Sequence, residues 1–353
     1  MKEINFNSIY DIIVGNNILN KIDLNSYIIK NKILIISDDI VWNIYKNKIS
    51  NLFKSQNLDF FSFIIPHGEK SKSLNIVNQI YNILYQNNFI RTDYLIALGG
   101  GVIGDISGFV ASTYMRGINL INIPTTLISQ VDSSIGGKTG LNFKSGKNLI
   151  GTFYNPKLVI CDINFLETLD KRQFSSGVAE IIKYSLIKDK SIKGLLNNIN
   201  ENLEVIILKC INIKKDIVLN DTYDQSERKI LNFGHTIGHA LEASENFTNL
   251  LHGEAIGLGM LMITKAATKN NLSSSFIYDE IYRLLQKFHL PISWNLDINE
   301  ILDKIILDKK RSNNIIDLII VKDLENPIIY PLPLKDIKKF FVGPAKLALN
   351  CLD

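Results

Sequence analysis

Residues 94–148 read YLIALGGGVIGDISGFVASTYMRGINLINIPTTLISQVDSSIGGKTGLNFKSGKN. The run from Tyr94 to Leu98 is apolar and short enough for one buried strand. Gly99, Gly100 and Gly101 follow, then Gly104 and Asp105. Beyond them Ile106, Phe109, Val110 and Tyr114 recur at spacings of three and four, which predicts a helix. Strand, glycine turn and helix make the setting a dinucleotide pyrophosphate needs. Glycines let the backbone approach, and free N–H groups at the helix start meet the charge. A second apolar run, residues 118–123, ends in Pro124, Thr125 and Thr126. The polar loop beyond it carries Asp132, Lys138, Lys144 and Lys147. An ordinary unit of this kind places Asp or Glu roughly 20 residues past the glycines. That place reads IPTT. The glycines therefore make either a tight structural turn or a nucleotide site whose ribose acid comes from elsewhere.

A chain of 353 residues is long enough for two domains, each with a core of its own. Hydrophobic residues at 46% and charged residues at 21% are ordinary for a soluble globular protein. The net charge of +4 is scattered rather than striped, so it gives no ground for a nucleic-acid partner. Cys161, Cys210 and Cys351 lie far apart among apolar residues, which predicts free thiols in a reducing cytoplasm. The opening MKEINFNSIYD does not read as a signal peptide. No apolar run approaches the roughly 20 residues of a membrane span.

Outward from the central stretch, residues 3–14 alternate loosely and predict a strand closed at Gly15. Residues 33–36 predict a buried strand ending in Ser37, Asp38 and Asp39. An acid at that edge is placed to hold a ribose hydroxyl, although spacing alone favours a helix cap. Residues 60–65 predict another strand, followed by PHGEKSK and a helical stripe of Leu74, Val77, Ile80, Tyr81 and Leu84. Alternating strands and helices imply a parallel sheet covered on both faces. From Phe165 the periods become helical, over residues 176–188, 199–220, 227–246, 253–269 and 276–288. Residues 301–310 predict a further helix and 315–321 a strand. The boundary is expected at residue 160.

Three of the five histidines, His235, His239 and His252, fall within eighteen residues. His235 and His239 are four apart on a helical pattern and share a face. His252 opens the next helical run. A single histidine is commonly a hydrogen-bonded core residue, but three so close point to a metal, and zinc sites that do chemistry keep three protein ligands and an open position. Spacing alone pairs His235 with His239. Glu180, on an apolar helical run with Lys183 at i+3, is the candidate carboxylate. Arg228, Asn232 and His235 fall along one side of a predicted helix start, and Lys214 lies on the preceding helix. They form either a solvated charged face or a cluster for an anionic substrate, where charge-assisted hydrogen bonds are strong.

Together the strings GGGVIGD, RGINLINIPTTLISQVDSSIGGKTG, KSGKNLIGTFYNP, SGVAEIIKY, LNFGHTIGHALEA and LHGEAIGLGM closely resemble the 3-dehydroquinate synthase family of sugar-phosphate cyclases. The resemblance runs from about residue 33 to 310. It implies a Rossmann-like α/β NAD-binding domain over residues 1–160. A mostly α-helical metal and substrate domain follows over 161–353, with the active site between the two, usually in a homodimer. It also implies a sugar-phosphate substrate, 3-deoxy-D-arabino-heptulosonate 7-phosphate, with 3-dehydroquinate and phosphate as products.

Carried over by motif, NAD contacts are expected from Asp38, and from Gly68, Glu69 and Lys72. Gly101, Val102, Ile103, Gly104 and Asp105 join them, as do Thr125, Thr126, Lys138 and Lys147, and Phe165, Leu166, Glu167 and Thr168. The ribose acid then comes from an upstream strand. The expected ligands for zinc or cobalt are Glu180, His235 and His252, which frees His239 to face the substrate as an acid–base group. Arg116, Asp132, Lys138, Asn148, Lys183, Lys214, Arg228, Asn232 and His239 are expected to line the substrate pocket. Two departures stand out. DKKRSNNI lacks the glycine that often follows DKK in the family, which leaves the roles of Lys309 and Lys310 open. His67 stands where an acidic residue is common.

Overall fold

The computed structural model describes residues 1–29, 31–144, 146–244, 249–293, 295, 297–309 and 314–342. The chain divides into two compact units, Met1–Asp170 with Asn200–Asp216, and Lys171–Ile199 with Ile217–Asp353. The sequence reading ended the first domain at residue 160. Contacts carry the first unit ten residues further and return part of a later helix to it.

The first unit is built on a seven-stranded sheet. Its strands are β1 (Lys2–Asn5), β2 (Asp11–Gly15), β3 (Ile33–Asp38), β4 (Phe61–Ile65), β5 (Tyr94–Gly99), β6 (Asn119–Pro124) and β9 (Leu158–Asp162), with a separate hairpin β7 (Lys138–Phe143) and β8 (Gly146–Phe153). Helices α1 (Asp39–Ser55), α2 (Leu74–Gln86) and α3 (Gly101–Thr113) alternate with them. The strands read as continuous apolar runs because both faces are covered. Ile33, Ile35, Ile96 and Leu98 point to one side, where Tyr45, Ile49 and Phe53 of α1 pack. Leu34, Ile36, Leu95 and Ala97 point to the other, against Val77 and Ile80 of α2 and Ile106 and Val110 of α3. Every pairing in this sheet is parallel except β1 with β2. Residues 3–14 thus make two strands rather than the one expected. Asn7 and Ser8, at φ 49° and 60°, turn the chain between them.

The strand order is β1-β2-β9-β6-β5-β3-β4. From β3 the chain steps outward to β4, then returns to the other side of β3 for β5 and winds away through β6 and β9. The winding reverses between β3 and β5. Open α/β sheets bind ligands beyond the carboxyl ends of their strands at such a reversal.

Among the described residues the second unit is helical apart from the hairpin β10 (Ile315–Asp323) and β11 (Asn326–Pro333). Its helices are α4 (Lys171–Ile187), α5 (Ser191–Leu195), the ends of α6 (Ile199–Asn220), α7 (His235–Ser244), α8 (His252–Lys269), α9 (Ser275–Lys287), α10 (Ile298–Lys309) and α11 (Ile337–Val342). Helix α8 is central, and almost every residue from Gly253 to Ala267 is buried. Residues 227–246 were expected to form one helix. The chain instead makes a 3-10 turn over Glu227–Asn232, then breaks at Gly234 (φ 80°) before α7 begins at His235. Arg228, Asn232 and His235 therefore do not share one helix face. Asn246, Lys310, Arg311 and Cys351 lie outside the described residues. Cys161 and Cys210 are free and buried, and no described helix is long and apolar enough to cross a membrane.

Candidate active site

The first unit concentrates its candidate groups at the carboxyl edge of the sheet. Asp38 ends β3 and Gly99 ends β5, so the acid and the glycine turn flank the winding reversal. No carboxylate follows β6, but this topology puts one at the end of the strand beside β5. The glycine turn follows the third strand of the winding, and the acidic strand end beside it is the upstream β3. Asp38 is also the N-cap of α1, accepting from Val41 N at 2.9 Å. The cap and the strand-edge acid are therefore one residue.

The turn itself has no room for side chains. A Cβ on Gly100 would sit 3.1 Å from Thr126 Cγ2, and one on Gly101 3.1 Å from Ser133 Oγ. Helix α3 starts at Gly101 without a side-chain cap, leaving first-turn N–H groups for a ligand. Thr125 Oγ1 and Ser133 Oγ nearby are buried without hydrogen-bond partners. Bare backbone, a helix start and waiting hydroxyls fit a dinucleotide phosphate. Val102 and Ile103 follow on α3, with Ile103 in the core.

Lys72 is 3% exposed and donates to Asp105 Oδ2 at 2.6 Å and to Asn148 Oδ1, with Glu69 Oε1 at 3.6 Å. Burial pulls its pKa down, but the Asp105 and Glu69 carboxylates outweigh that and hold the ammonium charged. Asn142 completes the cluster. It donates to Glu69 Oε1 and accepts from the backbone N–H of Asn148, both at 2.9 Å. Asn148 sits at φ 55°, where the β7–β8 register is irregular. Gly68, at φ 95°, turns the chain into Glu69. His67 stands exposed beside it, paired with Asp39 at 3.0 Å. Phe165 and Leu166 are buried in the 3-10 turn after β9, which leaves Glu167 and Thr168 exposed. The Tyr45 hydroxyl meets Thr168 Oγ1 and ties that turn to α1.

Asp132 lies in a π-helical turn, Ser129–Ser133, and Lys214 of α6 reaches it. The ammonium is 3.0 Å from Asp132 Oδ1 and donates to its carbonyl at 2.6 Å. That pair helps explain why the middle of α6 belongs to the first unit. Lys138 opens β7 exposed, and Lys147 is half-buried on β8. Arg116 is not gathered with these groups. It follows the C-terminal end of α3, whose 13 residues put about 20 Å between it and the glycine turn.

The second unit brings Glu180, His235 and His252 together. One donor atom from each lies within 4.8 Å of the others. Both imidazole Nε2 atoms are 3.5 Å from Glu180 Oε1, while Glu180 Oε2 meets Lys183 Nζ. Glycines cause this convergence. A Cβ on Gly259 of α8 would lie 2.0 Å from Gly234 O, and one on Gly238 of α7 3.0 Å from Ala255 O. Helices α7 and α8 thus meet backbone to backbone, with the His235 and His252 rings 5.4 Å apart. Gly253 would place a Cβ 1.8 Å from Ser176 O, so the start of α8 lies directly on α4, which carries Glu180. Glu254 caps that start through Leu251 N and is gripped by Arg172.

Each histidine of this trio has its second nitrogen held by an oxygen. His235 Nδ1 meets Phe233 O at 3.1 Å, and His252 Nδ1 meets Glu242 Oε1 at 3.3 Å. Those oxygens accept, so each neutral ring carries its proton on Nδ1 and presents a lone pair at Nε2. Two imidazoles and one carboxylate, buried and convergent, suit zinc or cobalt. His239, which spacing alone paired with His235, is exposed, its ring 5.4 Å from that of His235. It also falls with Glu242 and His252 in a second group of donors within 4.8 Å.

Burial, aided by the Lys183 charge, holds His235 well below its ordinary pKa. Burial opposes charge on His252 too, but hydrogen bonds to Glu180 and Glu242 outweigh it and push this ring up to about 9. An ion must therefore displace a proton from His252. At about pH 7.5, uptake of one Zn2+ is expected to release clearly more than the roughly 0.1 proton an ordinary histidine would give up. Calorimetry in buffers of different ionisation enthalpy measures this, and release near the ordinary figure contradicts it.

Arg228 is 1% exposed and donates to Thr222 O at 2.6 Å. Its backbone N–H, with those of Gln225 and Ser226, holds the Asp221 carboxylate down to about 2. Asn232 ends the same 3-10 turn, two residues before Gly234. Helix α10 is described as far as Lys309, and Lys310 lies outside the described residues. Sequence reasoning passed over Asn142, Glu242 and the helix-crossing glycines. Gly234 and Gly238, four apart before and inside α7, were the available signal for the last of these.

This arrangement, a nucleotide-type parallel sheet followed by a helical unit, is the fold of the sugar-phosphate cyclases. A solved 2-epi-5-epi-valiolone synthase from Streptomyces hygroscopicus subsp. jinggangensis, with NAD+ and Zn2+ bound, matches at TM-score 0.87 and 24% identity over 98% of each chain. A solved 2-deoxy-scyllo-inosose synthase, complexed with carbaglucose-6-phosphate, NAD+ and Co2+, matches at TM-score 0.83 and 26% identity, covering 96% of this chain and 98% of that one. The family descriptions 3-dehydroquinate synthase N-terminal and C-terminal match residues 62–176 and 177–311. The 3-dehydroquinate synthase of Streptococcus thermophilus is 42% identical over 317 residues, 88% of this chain and 89% of that relative. The chain belongs to the 3-dehydroquinate synthase family.

Proposed function

We propose that this protein converts 3-deoxy-D-arabino-heptulosonate 7-phosphate to 3-dehydroquinate and phosphate, as a carbon–oxygen lyase of aromatic amino acid biosynthesis that works as a homodimer. The reading is supported by family membership and, in the structure, by the buried Glu180 carboxylate with two imidazole nitrogens 3.5 Å from one of its oxygens. Asp38, the glycine turn, Thr125, Thr126, Lys138, Lys147 and the Phe165 turn would hold NAD+. Glu180, His235 and His252 would hold zinc or cobalt. When bound, NAD+ would supply a reversible hydride acceptor and the ion a Lewis acid for the sugar alcohol being oxidised.

This chain's own side chains do the rest. Lys138, Lys183, Lys214 and Arg228 supply the positive charge that binds a carboxylate and a phosphate. Lys183 is buried against Glu180, so its ammonium is fixed rather than swinging in water. Asp132, held by Lys214, and the exposed His239 are the groups that move protons as phosphate leaves and the ring opens and recloses. Asn148, fixed by Lys72 and Asn142, orients the sugar.

Phosphate release from the heptulosonate phosphate tests the proposal. Release is expected with NAD+ far below substrate concentration, to stop with a chelator, and to resume with Zn2+ or Co2+. Steady accumulation of NADH without phosphate release would instead mark a metal-dependent polyol dehydrogenase.

A further inference from the structure

We infer that Glu242 is a positioning residue for the ion, holding the His252 ring so that its Nε2 faces the point shared with Glu180 and His235. The inference rests on the ion site proposed above. Glu242 lies on α7, is 3% exposed, and its Oε1 accepts from His252 Nδ1 at 3.3 Å. The opposite nitrogen of the same ring is 3.5 Å from Glu180 Oε1 on α4. One imidazole, at the first residue of α8, is thus gripped between buried carboxylates from two other helices. The ring can rotate about its bond to Cβ, and its backbone alone does not fix where Nε2 points. The carboxylate at Nδ1 does. It accepts, so it selects the tautomer with Nε2 unprotonated, and its charge makes that nitrogen a stronger donor.

His235 meets the same need with a backbone carbonyl, Phe233 O at 3.1 Å. That acceptor is neutral and no side-chain substitution removes it. Glu242 is the member of this outer set that mutation can test. One competing assignment has to be separated. His239, Glu242 and His252 also bring one donor atom each within 4.8 Å of one another, and there Glu242 would be a ligand. Ligand and positioning residue differ in what a neutral replacement does. A glutamine keeps an oxygen that accepts from Nδ1–H but loses the charge a ligand contributes.

Co2+ is the probe, titrated into chelator-treated full-length protein. Its visible absorption reports coordination geometry, and competition with a chelating dye gives affinity. Glu242→Ala is expected to weaken Co2+ binding about 10–100-fold and to alter the visible bands, with NAD+ affinity unchanged. Glu242→Gln is expected to recover most of the affinity and the original bands. Wild-type affinity and bands in Glu242→Ala overturn the inference. So does complete loss of Co2+ in Glu242→Ala without recovery in Glu242→Gln, which makes Glu242 a ligand. If Glu242→Ala does not fold, Glu242→Asp, with the carboxylate withdrawn by one methylene, should bind Co2+ at least about fivefold more weakly. Unchanged affinity there is equally fatal. Glu180→Ala runs beside these variants. Should it bind Co2+ like wild type, the ion site itself is wrong, a failure distinct from that of Glu242.

Discussion

Glu180→Ala is expected to lose the ion and turnover together while binding NAD+ as well as the wild type. The carboxylate is fully buried on α4, with His235 and His252 facing one oxygen and Lys183 the other. Removing it deletes one of the three proposed ligands and leaves Lys183, 1% exposed, without that counter-charge. A buried cation stripped of its carboxylate costs roughly 3 kcal/mol, and the two imidazoles would then face a positive charge. Ion stabilisation of a developing oxyanion contributes several kcal/mol, so phosphate release should fall by at least about a thousandfold. The residues proposed to hold NAD+ lie in the other unit, from Asp38 to the Phe165 turn, and should be untouched. Metal analysis of the purified variant, phosphate release and an NAD+ titration give the three readouts. A variant that keeps stoichiometric metal removes Glu180 from the ligand set.

Gly253→Ala should be as damaging, for a reason of shape rather than charge. The added methyl would lie 1.8 Å from Ser176 O and 2.5 Å from its carbonyl carbon. Both are backbone atoms of α4, and no rotamer relieves the contact. The same glycine donates its N–H to Ser176 Oγ at 2.9 Å, so the two segments are pinned together. Overpacking of flexible side chains costs about 1–3 kcal/mol, and a backbone clash this close should exceed about 3 kcal/mol. Because His252 immediately precedes Gly253, the ion site should open as well. The control is Gly194→Ala, where nothing lies within 4 Å of the new carbon. It should be neutral or slightly stabilising, by up to about 1 kcal/mol. Denaturant midpoints compare the two, and equal midpoints refute the argument.

The sheet was legible because its strands are apolar runs punctuated by glycine and acid, and both faces are covered by helices with clear stripes. The carboxylate absent after IPTT was a matter of topology. Residue spacing cannot show that β5 lies beside β3, so nothing local placed Asp38 at the strand end neighbouring Gly99. The resemblance named Asp38, and strand order puts it at the end of the strand beside β5. Periodicity joined residues 227–246 into one helix because Ile230, Phe233, Ile237 and Leu241 keep a helical stripe across the break. The left-handed backbone of Gly234 won over that stripe. Spacing paired His235 with His239, since it reads one helix at a time, whereas Glu180 collects histidines from two helices. Glu242 escaped notice for the same reason. Its partner, His252, is ten residues away and on another helix. Arg116 sits in the quoted central stretch, yet a whole helix separates it from the glycines that precede it.

The sheet unit is interrupted in sequence, and this has a consequence for how the polypeptide can be divided. The chain passes from one unit to the other three times, after Asp170, after Ile199 and after Asp216. A gene severed between residues 176 and 177, where the two family descriptions adjoin, would strip Asp132 of Lys214 and the sheet of its borrowed helix. Neither half cut at that seam would carry the whole of the unit it begins.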